Sequence, residues 1–497
     1  MNPTQALKAA RRAGVPVIIV NTLDQPALIK TLVGACPPTA PVIAWDSIRG
    51  FVAMNDLGKP AIKSAMGTAS DQECCDPAFA FGTVARAFPK ETVVFFQNAQ
   101  RYLKEDQWAQ VAQAVTILRT EFLRDHRKLV LLGPAVSIPS ELRADTVSVE
   151  DELPNDEQIG DIIDKLHRQA DVKIDAKFRE QIIGIGRGLP AFPIEQAFAL
   201  SMTKNGLDLD EAWAQKRAAV NQVEGLHMEL GGPTMADFIG YPAATLMAER
   251  MFKGPKRPRV IVVIDEIEKQ LGGSFGEAHD GGVSKDSFAT ILKWLSDDDH
   301  DGQINIGLGG TGKTLFATAL GATYGIPTIH FDNGAMRGEL VGQSERMVRE
   351  AVKMITSIAG RGGAYCVATC NGFGRMPPEM KRRFQSGFWY FEPPNQDART
   401  AMWKHYAKAF DVKLPKAITW DTLWTGAEIR NCCRNAWKYQ IQLEQAKEYV
   451  VPVAVSDRAT LDNLRTQADG KLLDACHGGM FDIRSISQQG GDRAVEL

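Results

Sequence analysis

The sequence predicts an α/β fold built twice, each copy a mostly parallel sheet with helices on both faces, followed by a helical lid. Three observations carry this expectation. Short runs rich in Val, Ile and Phe alternate with amphipathic helical stretches in two separate regions, the pattern of parallel strands joined by crossover helices. In both regions the strands then stop and helix takes over. The two halves also echo each other at an offset near 240 residues. Ile138-Pro139-Ser140-Glu141-Leu142-Arg143 resembles Met376-Pro377-Pro378-Glu379-Met380-Lys381, and Pro154-Asn155-Asp156-Glu157 resembles Pro394-Asn395-Gln396-Asp397.

Taken in order, residues 17–20, 41–45, 92–96 and 128–132 read as strands and 108–123 as a helix between them. Residues 156–168 and 193–202 read as helices, their starts marked by Pro154-Asn155-Asp156-Glu157 and by Pro193 before Ile194. A second α/β region runs from about Met228 to Phe391, and helix resumes over 397–447. The last twenty residues, with Gln488-Gln489-Gly490-Gly491, look frayed. The expected divisions are 1–150, 151–227, 228–395, 396–450 and a partly flexible 451–497.

Composition excludes several classes. The chain has 497 residues, 44% hydrophobic and 24% charged, ordinary values for a globular protein with several domains. With 57 Lys+Arg against 60 Asp+Glu, the net charge of −3 gives no global field for nucleic acid or anionic lipid. No apolar run approaches the ~18–20 residues of a membrane span, and the start, Met1-Asn2-Pro3-Thr4-Gln5, lacks the regions of a secretory signal. The expected location is cytoplasmic. Eight cysteines, among them the adjacent pairs Cys74-Cys75 and Cys432-Cys433, form no disulfide framework, and Cys366 and Cys370 have no histidine at zinc spacing. Buried reduced thiols are expected.

The strongest chemical signal is Gly307-Leu308-Gly309-Gly310-Thr311-Gly312-Lys313-Thr314, which fits G-x-x-x-x-G-K-[ST] in full. Such a loop turns backbone N–H groups toward phosphate oxygens, and the helix that follows adds its positive end. Gly307, Gly309, Gly310, Thr311, Gly312, Lys313, Thr314 and the adjoining Leu315 make the expected nucleotide-binding set. Lys313 would serve the β/γ-phosphates and the Thr314 hydroxyl Mg²⁺. Residues 303–306 read as the strand before the loop and 315–324 as the helix after it.

The second signal is Val260-Ile261-Val262-Val263-Ile264-Asp265-Glu266, a buried strand ending in two acids at the end where ligands bind. Asp265 would hold the metal and Glu266 would orient and deprotonate the attacking water. Residues 364–369 form a third strand whose tip, Asn371, would lie between the γ-phosphate and that water. Lys381-Arg382-Arg383 supplies a candidate arginine finger acting on a neighbouring subunit, and Arg430 on a lid helix would reach the γ-phosphate from above.

Together these segments resemble the AAA+ ATPases: the P-loop, the Ile-Asp-Glu strand, Ala368-Thr369-Cys370-Asn371, the arginine-bearing segment and Gly426-Ala427-Glu428-Ile429. Residues 331–349, with Val341-Gly342-Gln343-Ser344-Glu345, are similar to that family's second-strand region. The whole chain is similar to phage-type AAA ATPases and, more weakly, to a plastid and cyanobacterial AAA group. The resemblance implies tandem P-loop-NTPase-like modules, the first degenerate, and a homo-oligomeric ring, possible as a hexamer. If phage-encoded, the chain would work in the host cytoplasm.

Two departures qualify it. The family's usual order puts the P-loop before the Asp-Glu strand, whereas here Asp265-Glu266 precedes Lys313; a parallel sheet can bring the strands together under other connectivity. On that reading 286–295 is the helix after the Asp-Glu strand and 297–302 the loop feeding the P-loop strand. Leu340 stands where many unfolding motors carry an aromatic pore residue, which argues against polypeptide threading. In the first half, Asn21-Thr22-Leu23-Asp24 and Gln97-Asn98 replace the loop and the acids, and Gly58-Lys59 is followed by Pro60, so no nucleotide is expected there. Lys253, Lys256, Arg257 and Arg259 read as a solvated linker. The expected activity is Mg²⁺-dependent ATP hydrolysis coupled to remodelling a macromolecular partner. The rivals are a non-motor ATP switch and a nucleic-acid-dependent ATPase, the latter disfavoured by the near-neutral charge.

Overall fold

The apolar runs near the N-terminus fold as parallel strands buried on both faces. The computed structural model describes residues 1–489 except 104–108, 135, 137–145, 205, 269–288, 297–299, 333, 337–342 and 373–377. They fall into two compact units, Met1–Ile174 with Pro190–Gly206, and Asp175–Leu189 with Leu207–Leu497.

The first unit contains β1 (Val17–Asn21), β2 (Val42–Asp46), β3 (Gly50–Ala53), β4 (Val93–Phe96), β5 (Lys128–Gly133) and β6 (Thr146–Glu150). They lie in the order β3-β2-β4-β5-β1-β6, all parallel except the β2/β3 hairpin. Because side chains alternate along a strand, each strand feeds two cores. Val17 and Ile19 pack with Trp45, Phe81 and Phe96 on one face, while Ile18 and Val20 pack with Leu28, Leu32 and Phe95 on the other. The Trp45 indole donates to the Cys74 carbonyl at 2.8 Å and meets Phe81 and Phe96 edge-on. Sequence patterning anticipates β1, β2, β4 and β5. It misses β3 and β6, which lie at the two sheet edges and carry short, partly exposed sequences.

Two-residue strands β7 (Met202–Thr203) and β8 (Gly206–Leu207) come next in the chain. Pro193 does not open its helix as expected: the helix Ala191–Leu200 starts after Pro190, and Pro193 sits inside the first turn, where a missing N–H costs nothing.

The second unit contains β9 (Leu226–Glu229), β10 (Val260–Ile264), β11 (Asp301–Gly307), β12 (Thr328–Phe331), β13 (Ala364–Cys370), β14 (Phe388–Phe391) and β15 (Leu473–Asp474). Their order is β15-β14-β11-β13-β10-β12-β9, parallel except for the β12/β9 edge. Val260, Val262 and Ile264 enter one core, and Ile261 and Val263 the other. Asp301 and Gly302, expected in a loop, belong to β11 and extend its ladder with β13. Of the expected helix over 286–295, residues 286–288 lie outside the described residues, and the rest begins helical.

The two sheets share one pairing scheme. Reading β6-β1-β5-β4-β2-β3 against β14-β11-β13-β10-β12-β9, four parallel pairings and a final antiparallel one coincide. The chain visits them differently. The antiparallel edge strand and the strand two places in from it come third and fourth in the first unit, as β3 and β4, but first and second in the second unit, as β9 and β10. The 240-residue echo is therefore confined to the later part of each copy. There it is close: Asn155 and Asn395 cap 15-residue helices, Asp156–Ala170 and Gln396–Phe410, which end at the left-handed residues Asp171 and Asp411, each 240 apart. The first echo, at 138–143 and 376–381, falls largely outside the described residues.

Helices Gln396–Phe410 and Gly426–Tyr439 form a lid with its own core of Met402, Trp403, Trp424, Ile429 and Cys433. The segment beyond it joins the second unit. Leu461, Leu464 and Ala468 of helix Arg458–Ala468 enter the sheet's core, and Arg465 forms an ion pair with Glu392 after β14. All eight cysteines are unpaired thiols. No described helix is long and apolar enough to cross a membrane.

Candidate nucleotide site

The loop between β11 and helix Lys313–Tyr324 needs glycine at specific points. Gly310 and Gly312 have φ of +83° and +93°, conformations that side chains resist. A Cβ on Gly310 would fall 2.7 Å from Thr425 Oγ1, and the Gly310 carbonyl accepts from Ala427 N at 3.3 Å, so the loop touches the start of the lid helix. Gly307 has a different role from the one expected. It ends β11, where a Cβ would meet the Phe391 carbonyl at 2.5 Å, and it does not line the cavity described below.

Lys313 is buried, and its ammonium donates to the carbonyls of Gly307 (2.8 Å) and Leu308 (2.7 Å) and to Asn371 Oδ1 (3.0 Å). Burial pulls its pKa down to about 8, against the opposing pull of Glu268, Cys370, Asp265 and Glu266. Beneath it runs a fully buried polar chain that sequence reading overlooks. The Tyr365 hydroxyl donates to Gln303 Oε1 (2.6 Å), Gln303 Nε2 to Asn305 Oδ1 (2.5 Å), and Asn305 Nδ2 to the Lys313 carbonyl (3.2 Å). Gln303 and Asn305, two apart and therefore on one face of β11, were the available signal.

β13 lies between β11 and β10, so its tip reaches both sites. Asp265 Oδ1 accepts from Thr314 Oγ1 at 2.9 Å and from Thr369 Oγ1 at 3.0 Å. Glu266 turns the chain with φ of +48°, a strained conformation for a residue with a side chain, and its N–H donates to Thr369 Oγ1 at 3.0 Å. Asn371 joins the two halves: its Oδ1 accepts from Lys313, and its Nδ2 donates to Glu266 Oε1 at 3.2 Å. Reversed chain order does not separate the Asp-Glu strand from the phosphate loop.

A cavity of about 860 Å³ opens here, lined by the loop from Gly309 through Leu315, by Asp265, Glu266, Thr369 and Asn371, and by Arg430 from the lid. Phe238, Tyr241, Met402, His405 and Tyr406 line it too. Sequence reading singles out neither Phe238 nor Tyr241. Phe238 stacks on Tyr241 at 5.3 Å, the Tyr241 hydroxyl donates to the Glu392 carbonyl at 3.0 Å, and Asp237 faces lid residue His405 at 3.4 Å. Arg382 and Arg383 stand apart on the short helix Pro378–Arg383 and do not line the cavity. Leu340 and Gly342 lie outside the described residues. In the basic cluster, Lys253 pairs with Glu249 at 2.8 Å on an exposed helix end.

The corresponding strand tips in the first unit are occupied by their own side chains. Asn21 accepts from Val136 N (2.9 Å) and donates to Glu150 (2.7 Å), and Thr22 donates to Asp151 (2.7 Å). Gln25 and Asn98 exchange two hydrogen bonds, 3.0 and 2.9 Å. A Cβ on Gly133 at the end of β5 would fall 2.0 Å from Gln100 Oε1.

Comparison with known families finds one match in each half of the chain. The family described as "ATPase family associated with various cellular activities (AAA)" matches residues 304–367, from β11 through most of β13. "SpoVK-like AAA ATPase, N-terminal domain" matches residues 3–150. Two separate stretches of the chain thus match AAA ATPase families. Among AAA+ relatives the chain is similar to the "Uncharacterized AAA domain-containing protein ycf46" of Pyropia yezoensis, with 24% identity over 232 residues covering 35% of this chain. The match spans 46% of that protein, about half its length.

Proposed function

We propose that the second unit binds ATP and hydrolyses it to ADP and phosphate, and that the cycle remodels a macromolecular partner. The observation that carries the reading is the Asn371 amide, which spans the Lys313 ammonium and the Glu266 carboxylate. A cation for the phosphates and a base for water are thereby held in one hydrogen-bonded unit. Lys313 binds the β/γ-phosphates, Glu266 accepts the proton of the attacking water, and Asn371 keeps the two in register. The Thr314 hydroxyl and Asp265 carboxylate, 2.9 Å apart, are the hard oxygen donors that suit Mg²⁺, and they would hold it. When bound, the ion neutralises charge on the phosphate oxygens. Arg430 adds a cation from the lid side of the cavity.

Arg382 and Arg383, outside their own cavity, act on a neighbour's nucleotide in this reading, which makes the active form a homo-oligomeric ring. The first unit, with its strand tips closed, serves assembly or partner binding without nucleotide. The test is Glu266→Gln in the full chain. Turnover should fall by about 10²- to 10⁴-fold while ATP binding persists. Unchanged turnover would remove Glu266 from the mechanism.

A further inference from the structure

The end of β13 poses an accounting problem for the backbone. The ladders to β10 and β11 make their last pairings at Ala368 and Cys370, so the N–H of Asn371 emerges past the sheet and needs another acceptor. Glu268 supplies it, with Oε1 accepting from Asn371 N at 3.0 Å. The left-handed turn at Glu266 and the fully buried Ile267 fold the chain so that both Glu266 and Glu268 face the same asparagine. Glu266 takes the side-chain amide and Glu268 takes the backbone. The other Glu268 oxygen, Oε2, is buried and meets no N–H or O–H donor among the described residues, and the only further donor beside the carboxylate there is the weak Cys370 thiol. Placing half a carboxylate there is costly, and such groups in native proteins commonly mark a functional demand.

We infer that Glu268 is a positioning residue for hydrolysis: by taking the Asn371 N–H, it fixes the Asn371 amide across Lys313 and Glu266. The inference rests on the ATPase reading above. Charge plays a secondary part, although Glu268 is the strongest of the charged neighbours that oppose the lowering of the Lys313 pKa by burial.

Two substitutions separate the acceptor from the charge. Glu268→Gln keeps an oxygen for the Asn371 N–H and removes the charge; Glu268→Ala removes both. In the full chain, Glu268→Ala should lower kcat for ATP by about 10²-fold, the scale of a misplacement near 1 Å, with KM within about threefold of the parent. Glu268→Gln should restore kcat to within about threefold. Hydrogen exchange at the Asn371 amide, read without nucleotide, should accelerate in the Ala variant and stay near the parent rate in the Gln variant. An Ala variant with parental kcat would overturn the inference. So would equal losses in both variants, because charge would then outweigh the acceptor. If the parent binds ATP without hydrolysing it, the ATPase reading fails and a role for Glu268 in turnover fails with it. Exchange at Asn371 then reports separately whether the clamp exists.

Discussion

The two units carry the same sheet and opposite strand tips. In the second, the tips of β10, β11 and β13 present Asp265, Glu266, Lys313 and Asn371 to a cavity of about 860 Å³. In the first, Asn21 bonds Val136 and Glu150 at the tip of β1, Gln25 and Asn98 bond each other past β4, and Gln100 lies against Gly133 at the end of β5. The comparison separates architecture from chemistry. A parallel sheet flanked by helices makes a crevice, but only a loop able to turn N–H groups inward and acids at the neighbouring tip turn it into a site. Connectivity matters less than position, since β10 precedes β11 in the chain and Asp265 still meets Thr314.

The largest expected effect comes from the arginines outside the cavity. Arg383→Ala should reduce turnover by about 10³-fold or more with ATP binding largely intact. Mixing it with Lys313→Ala should restore part of the activity, because one interface then pairs an intact loop with an intact arginine. Specific activity should also rise with protein concentration. A monomer with concentration-independent turnover and no rescue on mixing would break the trans assignment.

A smaller effect concerns pH. The Lys313 pKa, lowered by burial to about 8, means that the cation needed by phosphate is lost as pH rises through that value. ATP affinity should hold below about pH 7 and then weaken, approaching tenfold per pH unit as one proton must be taken up on binding. Titration calorimetry from pH 6.5 to 9.5 reads this slope. A flat profile would mean that Lys313 stays charged throughout or takes no part in binding.

The smallest effect belongs to the first unit. Gln25→Ala breaks the reciprocal pair with Asn98 and should destabilise the chain by about 1–3 kcal/mol, measured by denaturant unfolding. ATP turnover by the second unit should be unchanged. A gain of nucleotide binding would show that the pair had been blocking a competent site.

Much of this was legible in the sequence, and the reasons are physical. Buried parallel strands need near-continuous apolar runs, so β1, β10 and β13 stand out, and phosphate cradling needs glycine at fixed spacing, so the loop at 307–314 does too. Edge strands β3, β6, β9 and β15 need little apolar surface and left no such trace. Contacts made by the fold alone were also invisible. Nothing in the local pattern links Tyr365 to Gln303, Glu268 to the Asn371 N–H, or Asp237 to His405. The repeat was visible only where both copies keep the same chain order, at Asn155 and Asn395 and the helices that they cap.

The central claim is that two like sheets hold one nucleotide site. Its most direct test is the stoichiometry of ATP binding to the full chain by titration calorimetry, with Glu266→Gln to prevent turnover and Lys313→Ala as its counterpart. One ATP per chain, lost on Lys313→Ala with the fold preserved, is the predicted result. Two ATP per chain, or one that survives Lys313→Ala, would contradict it.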